Sequence, residues 1–133
     1  MTSKVIYLGN LRTENVHTKS GDSYITDAPI DNNGKGEAFS PTDTVATALA
    51  NCMLTVMGIK AKTMDFDIKG ATAEVTKTMA SHPRRISKIE VVLTLPCEAD
   101  NKTKKVLEHT AETCPVLYSL HADIEKKIIF NWK

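Results

Sequence analysis

Ser40-Pro-Thr-Asp-Thr-Val-Ala-Thr-Ala-Leu-Ala-Asn-Cys-Met-Leu-Thr-Val-Met57 is the stretch whose reading decides the fold. Its first residues carry helix-start chemistry. Ser40 is a candidate N-cap, Pro41 suits the first helical position because its φ is preset, and Asp43 puts an acid where the helix dipole favours one. From Val45 onward the run is apolar on nearly every side, the pattern of a helix covered by protein all round, part of that cover coming from a second subunit. The uncharged interval from Thr44 to Ile59 is 16 residues long and holds three Thr, an Asn and a Gly. That is short of the ~20 apolar residues a membrane span needs, so a soluble core helix is expected.

Upstream, Lys4 to Leu8, Thr13 to Thr18 and Ser23 to Thr26 are short β-prone runs separated by Gly9-Asn10 and Ser20-Gly21-Asp22, which predicts an antiparallel meander. Asp31 to Glu37 is a loop of turn formers. Downstream, Ile68 to Met79 and Ile86 to Leu95 alternate, with Ala71, Ala73, Val75, Ile89, Val91, Leu93 and Leu95 facing inward. Asp100 to Cys114 returns to helical spacing behind an Asp100 cap, Pro115 interrupts it, and Val116 to His121 adds one turn. Asp123 to Trp132 is a closing strand. Strands, helix, strands, helix, strand make an α+β domain, and 133 residues fit a single domain over positions 1–133.

Seventeen Lys plus Arg against sixteen Asp plus Glu leave a net charge of +1, which gives no global field toward nucleic acid or an acidic membrane. The basic clusters at His82-Pro-Arg-Arg85 and at Lys102, Lys104 and Lys105 read as solvated faces. Neither nucleic acid nor membrane is expected as a partner. With no secretory signal core after Met1, a cytoplasmic location is expected. Gly34-Lys-Gly36 has neither P-loop nor dinucleotide spacing, and close metal-ligand pairs such as C-x-x-C are absent. No cofactor and no metal are therefore expected.

The chain has three cysteines, Cys52, Cys97 and Cys114. A lone Cys in an apolar helix is ordinarily a small core residue, and burial alone raises a thiol's pKa. Cys52 lies eleven residues past Pro41, beyond the reach of the helix dipole, so a reactive thiolate there needs a cation from elsewhere. The arginines are Arg12, Arg84 and Arg85. Arg12, beside the Gly9-Asn10 turn, is the more interesting, although a solvated strand residue reads the same way. Two cysteines suit peroxide chemistry, since a sulfenic acid on one condenses with the other to a disulfide. Cys97, at a strand end, is a competing second thiol.

The run from Ser40 to Cys52, joined 62 residues later to Cys114-Pro-Val, resembles the OsmC/Ohr family of thiol peroxidases across essentially the whole chain. In that family a Pro-acid signature opens a long helix with the reactive Cys eleven residues after the Pro, and a Cys-Pro motif provides the second thiol. The resemblance implies an OsmC-like fold of antiparallel sheets around a long central helix, in an intertwined homodimer with two active sites at the interface. It implies reduction of organic hydroperoxides, and of hydrogen peroxide as a further substrate, with thiols or lipoylated proteins as reductants. Cys52 would be the nucleophile, Cys114 the resolving thiol and Arg12 the cation, with Asp43 or Thr42 orienting the guanidinium. Characterised peroxidases of the family carry Glu directly after the Pro; here Thr42 stands there and the acid comes next at Asp43, as in the divergent OsmC-like branch. Met53, Leu54, Met57, Phe39 and Tyr118 are candidates to line a pocket or simply to pack. The displaced acid motivates the rival reading, a non-catalytic OsmC-like protein binding a small hydrophobic ligand at the dimer interface.

Overall fold

The computed structural model describes Met1–Lys133. The elements are β1 (Ser3–Gly9), β2 (Arg12–His17), β3 (Ser23–Asp27), a 3-10 turn (Ile30–Asn32), α1 (Pro41–Thr63), β4 (Thr72–Ala80), β5 (Arg85–Leu95), α2 (Asn101–Glu112), α3 (Pro115–Ser119) and β6 (Glu125–Trp132). This is the α+β class, with two three-stranded sheets. The chain divides into two compact units, Met1–Val45 and Ala46–Lys133.

The first unit is the expected meander, in the order β1-β2-β3 with both pairs antiparallel. Gly9, Asn10 and Leu11 all take positive φ in the turn from β1 to β2. No residue of β1 is buried. Its apolar side chains stand open, Val5 at 59% and Tyr7 at 65% exposure. Beyond β3 the chain folds back on itself, the Ala28 amide donating to the Leu11 carbonyl at 3.0 Å and the Gly36 amide to the Ala28 carbonyl at 3.1 Å. A Cβ at Gly34 would lie 1.7 Å from the Ala28 carbonyl oxygen. That glycine permits close backbone approach, a structural use.

In the second unit, Ala46, Leu49, Ala50, Met53, Met57 and Ala61 form the buried face of α1, recurring at three- and four-residue spacing. They join Ile89, Val91, Leu93 and Leu95 of β5 and Leu107 and Ala111 of α2 in one core. The alternation in β5 thus falls as the sequence predicts. Within one chain Val45 and Ile59 of α1 remain exposed, so cover on every side would need the second subunit the sequence reading invokes. By length and composition alone α1 is long and apolar enough to cross a membrane, although its uncharged run is shorter.

The second sheet has the order β4-β5-β6. β4 begins at Thr72, later than the alternation from Ile68 suggests, because Gly70 turns at φ +92. β4 and β5 pair antiparallel, while β6 runs parallel to β5. The sheet is therefore mixed where antiparallel pairing was expected throughout. A parallel neighbour needs a long crossover, which α2 and α3 supply. Asp100 caps α2, its Oδ1 accepting from the Thr103 amide at 2.7 Å. The end of β6 is tied to α2 by Trp132 Nε1 donating to Glu108 Oε2 at 2.8 Å.

Leu93 is fully buried while its neighbour Thr94 is exposed. In urea unfolding, Leu93→Ala is expected to cost about 2–5 kcal/mol. Thr94→Ala should stay within roughly 0.5 kcal/mol.

Candidate active site

In the first unit the β2–β3 register pairs Arg12 directly with Asp27. The side chains meet as a fork: Arg12 Nε donates to Asp27 Oδ1 at 2.7 Å and Nη2 to Oδ2 at 2.8 Å. Nη2 also reaches Glu37 Oε1 at 3.1 Å, and the Glu37 amide donates to Asp27 Oδ2 at 3.2 Å. Arg12 is a quarter exposed at 26%, whereas Asp27 is 1% exposed. The Arg12 hydrogen bonds hold the Asp27 carboxyl below its usual range, against burial that pushes the other way. The guanidinium is raised above its own ordinary value, chiefly by its hydrogen bonds to Asp27.

The carboxylates that hold Arg12 are thus Asp27 and Glu37, not the expected Asp43 or Thr42. Asp43 faces the helix start, where its Oδ2 accepts from the Ser40 amide at 3.0 Å and its own amide donates to Ser40 Oγ at 3.0 Å. This reciprocal pair is a capping box in which an Asp takes the place usually held by Glu or Gln. The Thr42 hydroxyl lies 3.3 Å from Ser40 Oγ. A shorter acid one position late satisfies the helix terminus, so the arginine is served from the neighbouring strand.

In the second unit Cys52 lies beside Met53 on α1, half-buried at the margin of the core-facing stripe. Cys114 is fully buried and stands as the N-cap of α3, with Pro115 at the first helical position. The two thiols are free, and Cys52 is near enough to act on the Cys114 thiol. Burial pushes the Cys114 thiol up. The amides of Leu117 and Val116 oppose this, and the neighbouring Cys52 adds to the rise. Cys97, the competing second thiol, is raised by burial and by the Asp67 carboxylate. Of the other two cysteines, Cys52 is the one that acts on the Cys114 thiol.

The family profile described as "OsmC-like protein" matches residues 34–128. The chain belongs to the OsmC-like family. A protein of Psychrobacter arcticus 273-4, assigned provisionally to osmotic stress induction and detoxification response, is 56% identical. It superimposes with a TM-score of 0.96 over 98% of this chain and 96% of its own. The OsmC organic hydroperoxide resistance protein of Legionella pneumophila shares the fold at 14% identity, with a TM-score of 0.76 over 97% of this chain and 94% of that one. An organic hydroperoxide resistance protein of Elizabethkingia anophelis with bound thiocyanate does so at 12% identity and a TM-score of 0.77, covering 100% and 97%. No curated protein matches.

Among the pocket candidates of this OsmC-like chain, Met53 and Met57 are core residues with no exposure, while Phe39 and Tyr118 are open. Leu54 is half-buried against the core. No group of three or more His, Cys, Asp or Glu side chains gathers as a metal site. Sequence reasoning missed Asp27 and Glu37. A signal for Asp27 existed: continuing the hairpin register one residue past Thr13 and Thr26 sets Arg12 opposite Asp27.

Because the Asp27 pKa is lower in the fold than in the unfolded chain, its contribution to stability is present above the unfolded value of about 3.9 and is lost as pH falls through the folded one. Asp27→Asn should therefore flatten the acid limb of a stability-against-pH curve below about pH 4, measured by chemical unfolding. Cys114, buried and raised, should resist iodoacetamide at pH 7 in the native protein over a time that labels it fully in urea, as read by peptide mass mapping.

Proposed function

We propose that this OsmC-like protein is a cysteine-dependent peroxidase that reduces organic hydroperoxides in a reducing, cytoplasmic setting. The observation that carries the reading is the closeness of Cys52 to Cys114, two thiols 62 positions apart in sequence. The half-buried Cys52 is the nucleophile and the enclosed Cys114 the resolving thiol. Membership of a family known for hydroperoxide resistance supports the substrate class.

The Cys52 thiolate attacks the distal peroxide oxygen, the O–O bond breaks, and the departing alkoxide takes up a proton and leaves as alcohol. Cys52 becomes a sulfenic acid. The Cys114 sulfur then attacks the Cys52 sulfur, water leaves, and a disulfide forms. An external thiol or lipoylated protein returns both cysteines to thiols by exchange, and its own sulfur is oxidised. By resemblance to the family, Arg12 is the cation expected to serve the Cys52 thiolate.

Residues 1–133 act as one OsmC-like domain in an intertwined homodimer. The exposed Val5, Tyr7 and Leu8 of β1 and the uncovered Val45 and Ile59 of α1 support this, since single chains rarely leave so much apolar surface in water. The place of Thr42 after Pro41 favours the second reading, a non-catalytic binder of a small hydrophobic ligand.

Peroxide consumption and dimedone labelling separate the two. Cys52→Ser is expected to abolish consumption of cumene hydroperoxide. Cys114→Ser should permit one turnover and then leave Cys52 as sulfinic or sulfonic acid by mass spectrometry. Consumption undiminished in Cys52→Ser would sink the peroxidase, and thiols left intact by peroxide would favour the binder.

A further inference from the structure

We propose that a cleft at the C-terminal end of α1 binds a basic α-amino acid. It is lined by Gly58, Lys62, Asp65, Phe66, Asp67 and Ile68, lies wholly within the second unit and is independent of the thiol chemistry.

The cleft has a volume of about 500 Å3, and small-molecule sites commonly fall within ~300–1,000 Å3. The chain that leaves α1 forms its wall. The amides of Met64 and Phe66 both donate to the Ala61 carbonyl at 2.9 Å, and Asp65 turns at φ 53. That turn folds the segment from Asp65 to Ile68 back beside the last turns of the helix, with Ile68 buried and Phe66 packed against the core.

Gly58 is the observation that points to an occupant. Glycine is the poorest residue in a helix interior after proline, and it earns a place where φ is positive or another group passes close. Neither holds at Gly58, which is not a residue of positive φ and where an added Cβ would meet nothing within 4 Å. The open space over it belongs to the cleft. Gly58 shares one side of α1 with the exposed Asn51, Thr55 and Lys62, at helical spacing. The exposed apolar Val45 and Ile59 lie on a different side. A polar occupant fits this wet side better than an apolar surface of a second copy.

The charges set its chemistry. Lys62 and Asp65 make no side-chain hydrogen bond or ion pair within the chain, and Asp67 uses Oδ1 to accept from the Lys69 amide at 2.9 Å. A simple cation would be repelled by Lys62 and a simple anion by two carboxylates. A basic amino acid answers all three: its carboxylate faces Lys62, its α-ammonium and side-chain cation face Asp65 and Asp67, and its methylenes cover Phe66 and Ile68.

The experiment is calorimetric titration of the full-length protein with L-lysine, L-arginine, L-leucine and 1,5-diaminopentane. Both basic amino acids should bind, one per chain. Leucine, without the side-chain cation, and the diamine, without the carboxylate, should each bind at least about tenfold more weakly. Gly58→Leu, which fills the cleft, should abolish binding. Lys62→Ala and Asp65→Asn, at exposed positions, should each weaken L-lysine by about tenfold. Gly58→Ala should raise the Tm of the ligand-free protein.

No heat from either basic amino acid up to about 10 mM overturns the proposal. So does equal binding of leucine or the diamine, or binding undiminished in Gly58→Leu. A lower Tm in Gly58→Ala would give the glycine a structural use within the chain and overturn it as well. Light scattering that shows subunits parting in Gly58→Leu would assign the opening to a second copy instead. Should Gly58→Leu not fold, Lys62→Ala and Asp65→Asn carry the test, and unchanged affinity in both overturns the site.

Discussion

Burial of one face of α1 is the constraint on which the second unit depends. Leu49, Met53 and Met57 have no exposure and pack with Ile89 and Leu93 of β5 and Leu107 of α2. Successive residues on a helix are turned by about 100°, so once Met53 faces the core its neighbour Cys52 must lie at the side of that face. There it is neither sealed in like Met53 nor open like Asn51. The same core draws in Leu107 and Ala111, and the chain after them breaks at Pro115 into a new short helix. Its N-cap, Cys114, is delivered to Cys52. The thiol pair is a by-product of ordinary packing with a proline-set corner.

The first unit works by a different principle. Its organising contact is a cross-strand ion pair, with Asp27 almost wholly enclosed beneath Arg12. Removing one partner of such a pair would strand a charge in a place that water does not reach, whereas the pair together satisfies itself and the amide of Glu37. The loop from Ala28 to Glu37 is shaped around this arrangement. The close pass of Gly34 over Ala28 and the contact of Glu37 with Arg12 are parts of one folded-back segment.

Local chemistry was readable from the sequence, and pairing between distant segments largely was not. The start of α1 is written in Ser40, Pro41 and Asp43 because a cap is made by residues within one turn of each other. Asp100 before α2 was legible for the same reason. Ile89, Val91, Leu93 and Leu95 were placed correctly because alternation reports directly on which side is wet. The resemblance to the family assigned Arg12 to the signature acid, while the strand register pointed to Asp27 and was not followed that far. The direction of β6 is set by the crossover that precedes it, a property of topology that no window of residues contains. The spacing from Cys52 to Cys114 carried information only through resemblance to a family, and the fold brings the two thiols near each other.

The parallel seat of β6 has a consequence for how the protein is made. β4 and β5 form a hairpin from neighbouring sequence, but the other border of β5 stays unpaired until both later helices and then β6 have been synthesised. An open hydrogen-bonding border on so apolar a strand is a template for sticking to other nascent chains. During translation, then, the chain passes through an interval in which Val91 and Leu93 lack their final neighbours Ile128 and Phe130. A chaperone that shields this border would raise the yield of folded chain without altering the stability of the finished molecule.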